Sequence, residues 1–109
     1  MKIALAQINT IIGDFEGNAE KVLAFSKKAE QQGADLVVFP ELTLTGYSPR
    51  DLVEIRSFID KGEKTLDRLA KKVPPSLGVL LGLVTHNKTP GAKPLFNSAV
   101  LLHEGKIKF

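Results

Sequence analysis

The spacing of apolar positions along the chain changes character repeatedly, and each change predicts an element. Residues 2–8 read as a strand of β-branched and small residues. Ala4 and Ala6 share one face of it, which implies that something packs closely there. A turn-rich loop follows, Gly13-Asp14-Phe15-Glu16-Gly17. Asn18 then reads as an N-cap, with Glu20 in the first turn where an acidic side chain is favoured. Ala19, Val22, Leu23, Ser26 and Ala29 keep the three-then-four spacing of a buried stripe, while Lys21, Lys27, Lys28 and Gln31 face outward. Gly33 is expected to end this helix in a left-handed cap. Residues 36–39 form a continuous apolar run, which marks a strand buried on both faces, and Pro40 stops it. Residues 41–49 read as irregular.

A second helix is predicted over about 58–73, with Ile59, Gly62, Leu66, Leu69, Ala70 and Val73 on one side. Pro74-Pro75 terminates it. Residues 78–85 form another buried strand, residues 86–94 a polar loop, and residues 96–103 a further strand. Glu104-Gly105 reads as a hairpin turn into a strand beginning at Lys106. The order β-α-β-α-β-β, with one more strand starting, predicts an α/β fold. Its helical crossovers imply parallel, right-handed connections, and the late hairpin makes the sheet mixed. The two helices should cover one face of the sheet and bury Val22, Leu23, Leu66 and Leu69. No closing helix follows the final strand, so the chain is expected to be the amino-terminal portion of a larger domain.

Composition narrows the function classes. The 109 residues allow one domain at most, with 43 % hydrophobic and 25 % charged residues, as in ordinary globular proteins. The formal charge is only +3. Lys27, Lys28, Lys71 and Lys72 fall near helix ends, where cations complement the negative pole. No basic stripe interleaves with aromatics, so nucleic acid is not an expected partner. Cysteine is absent, which excludes disulfides, thiolate metal sites and a cysteine nucleophile within these residues. The longest apolar run, residues 78–84, is far short of the roughly 20 residues that span a bilayer. Gln7 and Asn9 interrupt the first apolar run too early for a secretory signal. A cytoplasmic location without membrane contact is the expectation.

The sharpest chemical feature is Phe39-Pro40-Glu41. Ligands of open α/β sheets bind beyond the carboxyl ends of the strands, where a carboxylate at position 41 would serve as a general base. The apolar strand before it should raise its proton affinity, and a neighbouring cation would lower it again. From pattern alone Glu41 equally fits a turn cap or a partner for a surface lysine. His86 and His103 lack companions at metal-ligand spacing. The Gly78 and Gly82 pair is a buried-strand feature rather than a phosphate loop. Lys106 and Lys108 alternate with Ile107 and Phe109 and read as the solvent side of an amphipathic strand.

The run Leu36-Val37-Val38-Phe39-Pro40-Glu41-Leu42, followed by Thr45-Gly46-Tyr47, closely resembles the first signature of the nitrilase, or carbon–nitrogen hydrolase, superfamily. The opening Lys2-Ile3-Ala4-Leu5-Ala6-Gln7, then Gly13-Asp14 and Asn18, is similar to that family too. So is Leu95-Phe96-Asn97-Ser98-Ala99 with the hairpin Glu104-Gly105-Lys106. The longer stretch from Pro40 to Leu52, with its Tyr-x-Pro-x-Asp-Leu tail, resembles one branch, the glutaminase domains of glutamine-dependent NAD synthetases.

The resemblance implies part of an α-β-β-α sandwich and a Glu–Lys–Cys triad in which Glu41 is the catalytic base. It implies glutamine as substrate, a synthetase domain on the same chain as partner, and a homo-oligomer. No cofactor is implied for the hydrolase portion, whereas the synthetase domain implies ATP and magnesium. The family's lysine falls beyond the hairpin and its cysteine much later. Neither role transfers to Lys106 or Lys108, and the 109 residues alone are expected to be inactive. Asn97 and Tyr47 are weaker substrate-site candidates, each with a structural reading beside the functional one. A stand-alone amidase acting on another amide or carbamoyl substrate, and a non-catalytic scaffold of the same fold, are the competing readings. The residues after Phe109 separate them.

Overall fold

A computed structural model describes residues 1–40, 43–44, 56–86 and 95–108, with backbone only at positions 56–58, 84, 86 and 95–97. Its elements are β1 (Ile3–Leu5), α1 (Phe15–Gln31), β2 (Leu36–Val38), α2 (Arg56–Lys72), β3 (Gly78–His86), β4 (Leu95–His103) and β5 (Lys106–Lys108). They build one five-stranded sheet in the order β1-β2-β3-β4-β5. The first three strands are parallel, with Ile3 beside Leu36 and Leu36 beside Gly78. β3 and β4 pair antiparallel over eight registered positions, and β5 returns along β4. Glu104 and Gly105 make that last turn with φ of 54° and 74°, the double positive φ of a type I′ hairpin. The mixed sheet and its connections follow the sequence pattern.

Helix α1 starts earlier than the pattern predicts. Asp14, not Asn18, is its N-cap: the Asp14 carboxylate accepts from the Gly17 N–H at 3.0 Å, and Glu16 is the acidic residue of the first turn. The end is as expected. Gly33 adopts φ 80°, its N–H bonds Glu30 O at 2.9 Å, and Ala34 N–H bonds Ala29 O at 3.0 Å. That pair of bonds is a Schellman cap, which glycine closes without a Cβ clash.

The two helices bury their stripes in the same core as one face of the sheet. Val22, Leu66 and Leu69 pack there with Ala6, Val37, Phe39, Val79, Leu81, Val100 and Leu102. Leu23 is only half-buried, because it lines a groove between α1 and α2 with Ala19, Thr65 and Leu69. All six positions predicted for the inner side of α2 are buried. On the opposite face of the sheet the apolar side chains are open, with Ile3 54 % and Leu5 78 % exposed. The described residues therefore supply one helix layer and one sheet layer of a sandwich.

Two substitutions test this packing. The Ser26 hydroxyl is fully buried on α1 and has no hydrogen-bond partner among the described residues. Ser26→Ala removes a desolvated donor and raises helix propensity, so it should stabilise the protein by about 1 kcal/mol in denaturant titration. An unchanged or lower midpoint would mean that the hydroxyl is satisfied. At Gly62, an added Cβ would stand 2.8 Å from Phe15 Cε1, a ring that is itself buried. Overpacking costs about 1–3 kcal/mol and exceeds the roughly 1 kcal/mol that alanine gains over glycine in a helix. Gly62→Ala should therefore lower the midpoint.

Candidate active site at the carboxyl end of β2

The site is defined by where β2 stops. Ala6 N–H bonds Val38 O at 2.9 Å on one side, and Phe39 N–H bonds Leu80 O at 2.9 Å on the other. Pro40 follows and has no N–H to continue the ladder. The chain thus leaves the sheet at the carboxyl end of three parallel strands, and the next residue in sequence is Glu41. Glu41 and Tyr47 lie outside the described residues, as does the motif tail to Leu52.

What flanks position 41 is well tied. The Thr43 hydroxyl donates to Pro40 O, tying together the described residues on either side of positions 41 and 42. Leu44 N–H reaches Gly82 O on β3 at 3.2 Å. Leu44 O accepts from the Asn18 amide Nδ2 at 3.0 Å, and Thr43 and Leu44 are both buried. Asn18 itself is completely buried. Its second Nδ2 hydrogen goes to Ile11 O at 2.9 Å, and its Oδ1 accepts from Ile11 N–H at 3.0 Å. One amide therefore joins the loop after β1, helix α1 and the turn after β2.

Sequence reasoning gave Asn18 a capping role and missed this one. The signal was present: Asn18 falls in register with Phe15, Val22, Ser26 and Ala29, all on the buried side of α1. A polar side chain on that side must find partners or destabilise the helix.

The other candidates separate clearly. The Asn97 backbone pairs with Val84 on β3, beyond the point where β2 ends and so at the same end of the sheet as Pro40. Its side chain is outside the description. His86 lies opposite Leu95 at the end of β3. His103 Nδ1 sits 3.1 Å from the Glu104 carboxylate beside it. Among the described residues no three acidic or histidine side chains gather as a metal site. Lys106 and Lys108 are exposed, and Ile107 between them packs on the core. Gly78 and Gly82 are buried within β3, not in a loop that could cradle phosphate. No described helix is long and apolar enough to cross a membrane.

Comparison with known proteins agrees with this geometry. The family model described as carbon-nitrogen hydrolase matches residues 2–108. A glutamine-dependent NAD(+) synthetase from Synechocystis is 48 % identical over 109 residues, covering 97 % of this chain and 20 % of that protein. The solved structure of the glutamine-dependent NAD+ synthetase from Acinetobacter baumannii superposes with a TM-score of 0.83 at 30 % identity, over 96 % of this chain and 19 % of that one. An amidase from Nesterenkonia shares the fold, with a TM-score of 0.76 at 23 % identity, over all of this chain and 41 % of its own. The chain spans about a fifth of the length of the synthetases it matches. With a matching family model along nearly its whole length and a relative at almost half identity, the chain belongs to the carbon–nitrogen hydrolase family.

Proposed function

We propose that these residues are the amino-terminal part of the glutamine-hydrolysing domain of an NAD synthetase, and that Glu41 is its general base. The observation that carries this reading is the 48 % identity to a glutamine-dependent NAD(+) synthetase across 97 % of the chain. The bracketed turn at the carboxyl end of β2 supports the role of Glu41, since a base must be held within hydrogen-bond reach of the proton it takes.

In the mechanism that the family resemblance implies, a cysteine thiol attacks the side-chain amide carbon of glutamine. Glu41 takes the thiol proton and delivers it to the amide nitrogen, which leaves as ammonia. A lysine stabilises the tetrahedral anion. Glu41 then deprotonates water, which cleaves the γ-glutamyl thioester and returns glutamate and free thiol. The 109 residues contain no cysteine, so the nucleophile is supplied by sequence outside them. The lysine belongs there too, as does the synthetase domain, which would use the ammonia to amidate deamido-NAD. ATP and magnesium would belong to that domain. Tyr47 and Asn97 remain substrate-site candidates, and the protein is expected to act as a cytoplasmic homo-oligomer.

Glu41→Gln in the full-length protein tests the central claim. The substitution keeps size and removes proton acceptance, so glutamine-dependent NAD formation should fall by on the order of 10²–10⁴. Ammonium salts should restore NAD formation in the same variant. Retained glutamine use would remove Glu41 from the mechanism, and a protein that forms no NAD from ammonium even unmodified would favour a stand-alone amidase. The 109-residue chain by itself should release no ammonia from glutamine above a buffer control. Measurable release would show that the chemistry does not need the cysteine.

A further inference from the structure

We propose that Asn18 is a positioning residue for the catalytic turn, an inference that rests on the assignment of Glu41 as base. The turn after β2 has two anchors on its far side, and both act on a single peptide position. Leu44 N–H is held by Gly82 O on the sheet, and Leu44 O is held by the Asn18 amide on α1. Phe39 N–H is held on the near side by Leu80 O. Between the fixed residues 39 and 44 the chain carries Pro40, whose φ is restricted, and Thr43, whose hydroxyl closes back on Pro40 O. Few paths connect those ends, so the location of Leu44 constrains where the residue at position 41 can stand. If the Asn18 anchor is lost, Leu44 keeps, among the described residues, its bond to β3.

The chemistry of the anchor is specific to asparagine. Two of its groups donate, to Ile11 O and Leu44 O, and one accepts, from Ile11 N–H. Flipping the amide would set its oxygen against two carbonyls. Aspartate fills the same volume and keeps the Ile11 N–H partner, but as a carboxylate it presents an oxygen to both Ile11 O and Leu44 O, where donors are required. Because the side chain is fully buried, water cannot replace the lost bond, and the Leu44 carbonyl would be pushed away. Serine is smaller but keeps one donor. A packing role alone therefore ranks aspartate above serine, whereas a hydrogen-bonding anchor ranks serine above aspartate.

The test uses the full-length protein with Asn18→Asp and Asn18→Ser, alongside Glu41→Gln. Competent sites are counted by complete titration with a thiol-directed, electrophilic glutamine analogue, and kcat is expressed per site. Misplacement of a catalytic group by about 1 Å costs about 100-fold, so Asn18→Asp should lower glutamine-dependent kcat per site by about 10- to 100-fold. Its KM for glutamine should stay within about threefold, and Asn18→Ser should fall between it and the parent. The acidic limb of kcat/KM, which reports the base in the free enzyme, should move in Asn18→Asp, and ammonium-dependent synthesis should not change. An Asn18→Asp protein with parental kcat per site, or one whose loss is accounted for by missing titratable sites, overturns the proposal. Serine ranking below aspartate overturns it as well. If Glu41→Gln retains glutamine use, it is the assignment of the base that fails, whatever the Asn18 variants do.

Discussion

Strand β2 lies between two parallel neighbours, and that pairing constrains everything around it. A parallel partner cannot be reached by a tight turn, so each step from β1 to β2 to β3 needs a long crossover. Both crossovers are 17-residue helices, and right-handed connections between strands in sequential order bring the two to one face of the sheet. The same pairing aligns the three carboxyl ends. The chain is released from the sheet at Pro40 because proline cannot extend a ladder that Phe39 still continues. The place of the candidate site follows from the sheet, before any side chain with chemistry is considered.

Two polar residues on the buried stripe of α1 show what such a position demands. Asn18 and Ser26 are both completely buried. Asn18 makes three hydrogen bonds to backbone groups of two other segments and so ties them to the helix. Ser26 has no partner among the described residues, and its burial is a cost without a visible return. Polarity at a buried position is therefore not in itself a sign of function. The partners decide, and those of Asn18 lie on the loop before α1 and on the turn beyond Pro40.

The sheet's other face carries its own message. Ile3 and Leu5 are open, and in register with them run Leu36, Val38, Leu80 and Leu101, all only partly covered. Strands that are apolar on both sides are made to be covered on both sides. The helices cover one face. The other face is left apolar and open among the described residues, in a chain that spans about a fifth of its synthetase relatives.

The elements, their order and the sheet's mixed character were legible in the residues alone. These rest on local periodicity and on turn chemistry: the prolines after α2, Gly33 closing α1, and the Glu104-Gly105 hairpin. The family was legible too, because the run around Glu41 is contiguous and carries its own spacing. Helix faces were legible where the stripe was unambiguous, as on α2, and less so at Leu23, whose burial depends on how closely a second helix approaches. The work of Asn18 was not legible in the sequence and emerges only from long-range packing. An asparagine near a helix start looks like a cap because local propensity favours it there. Asp14 caps instead, and Asn18 is recruited by backbone carbonyls, one of them 26 residues away. No local pattern can encode such a bond, since it exists only once the sheet has brought Leu44 and α1 together.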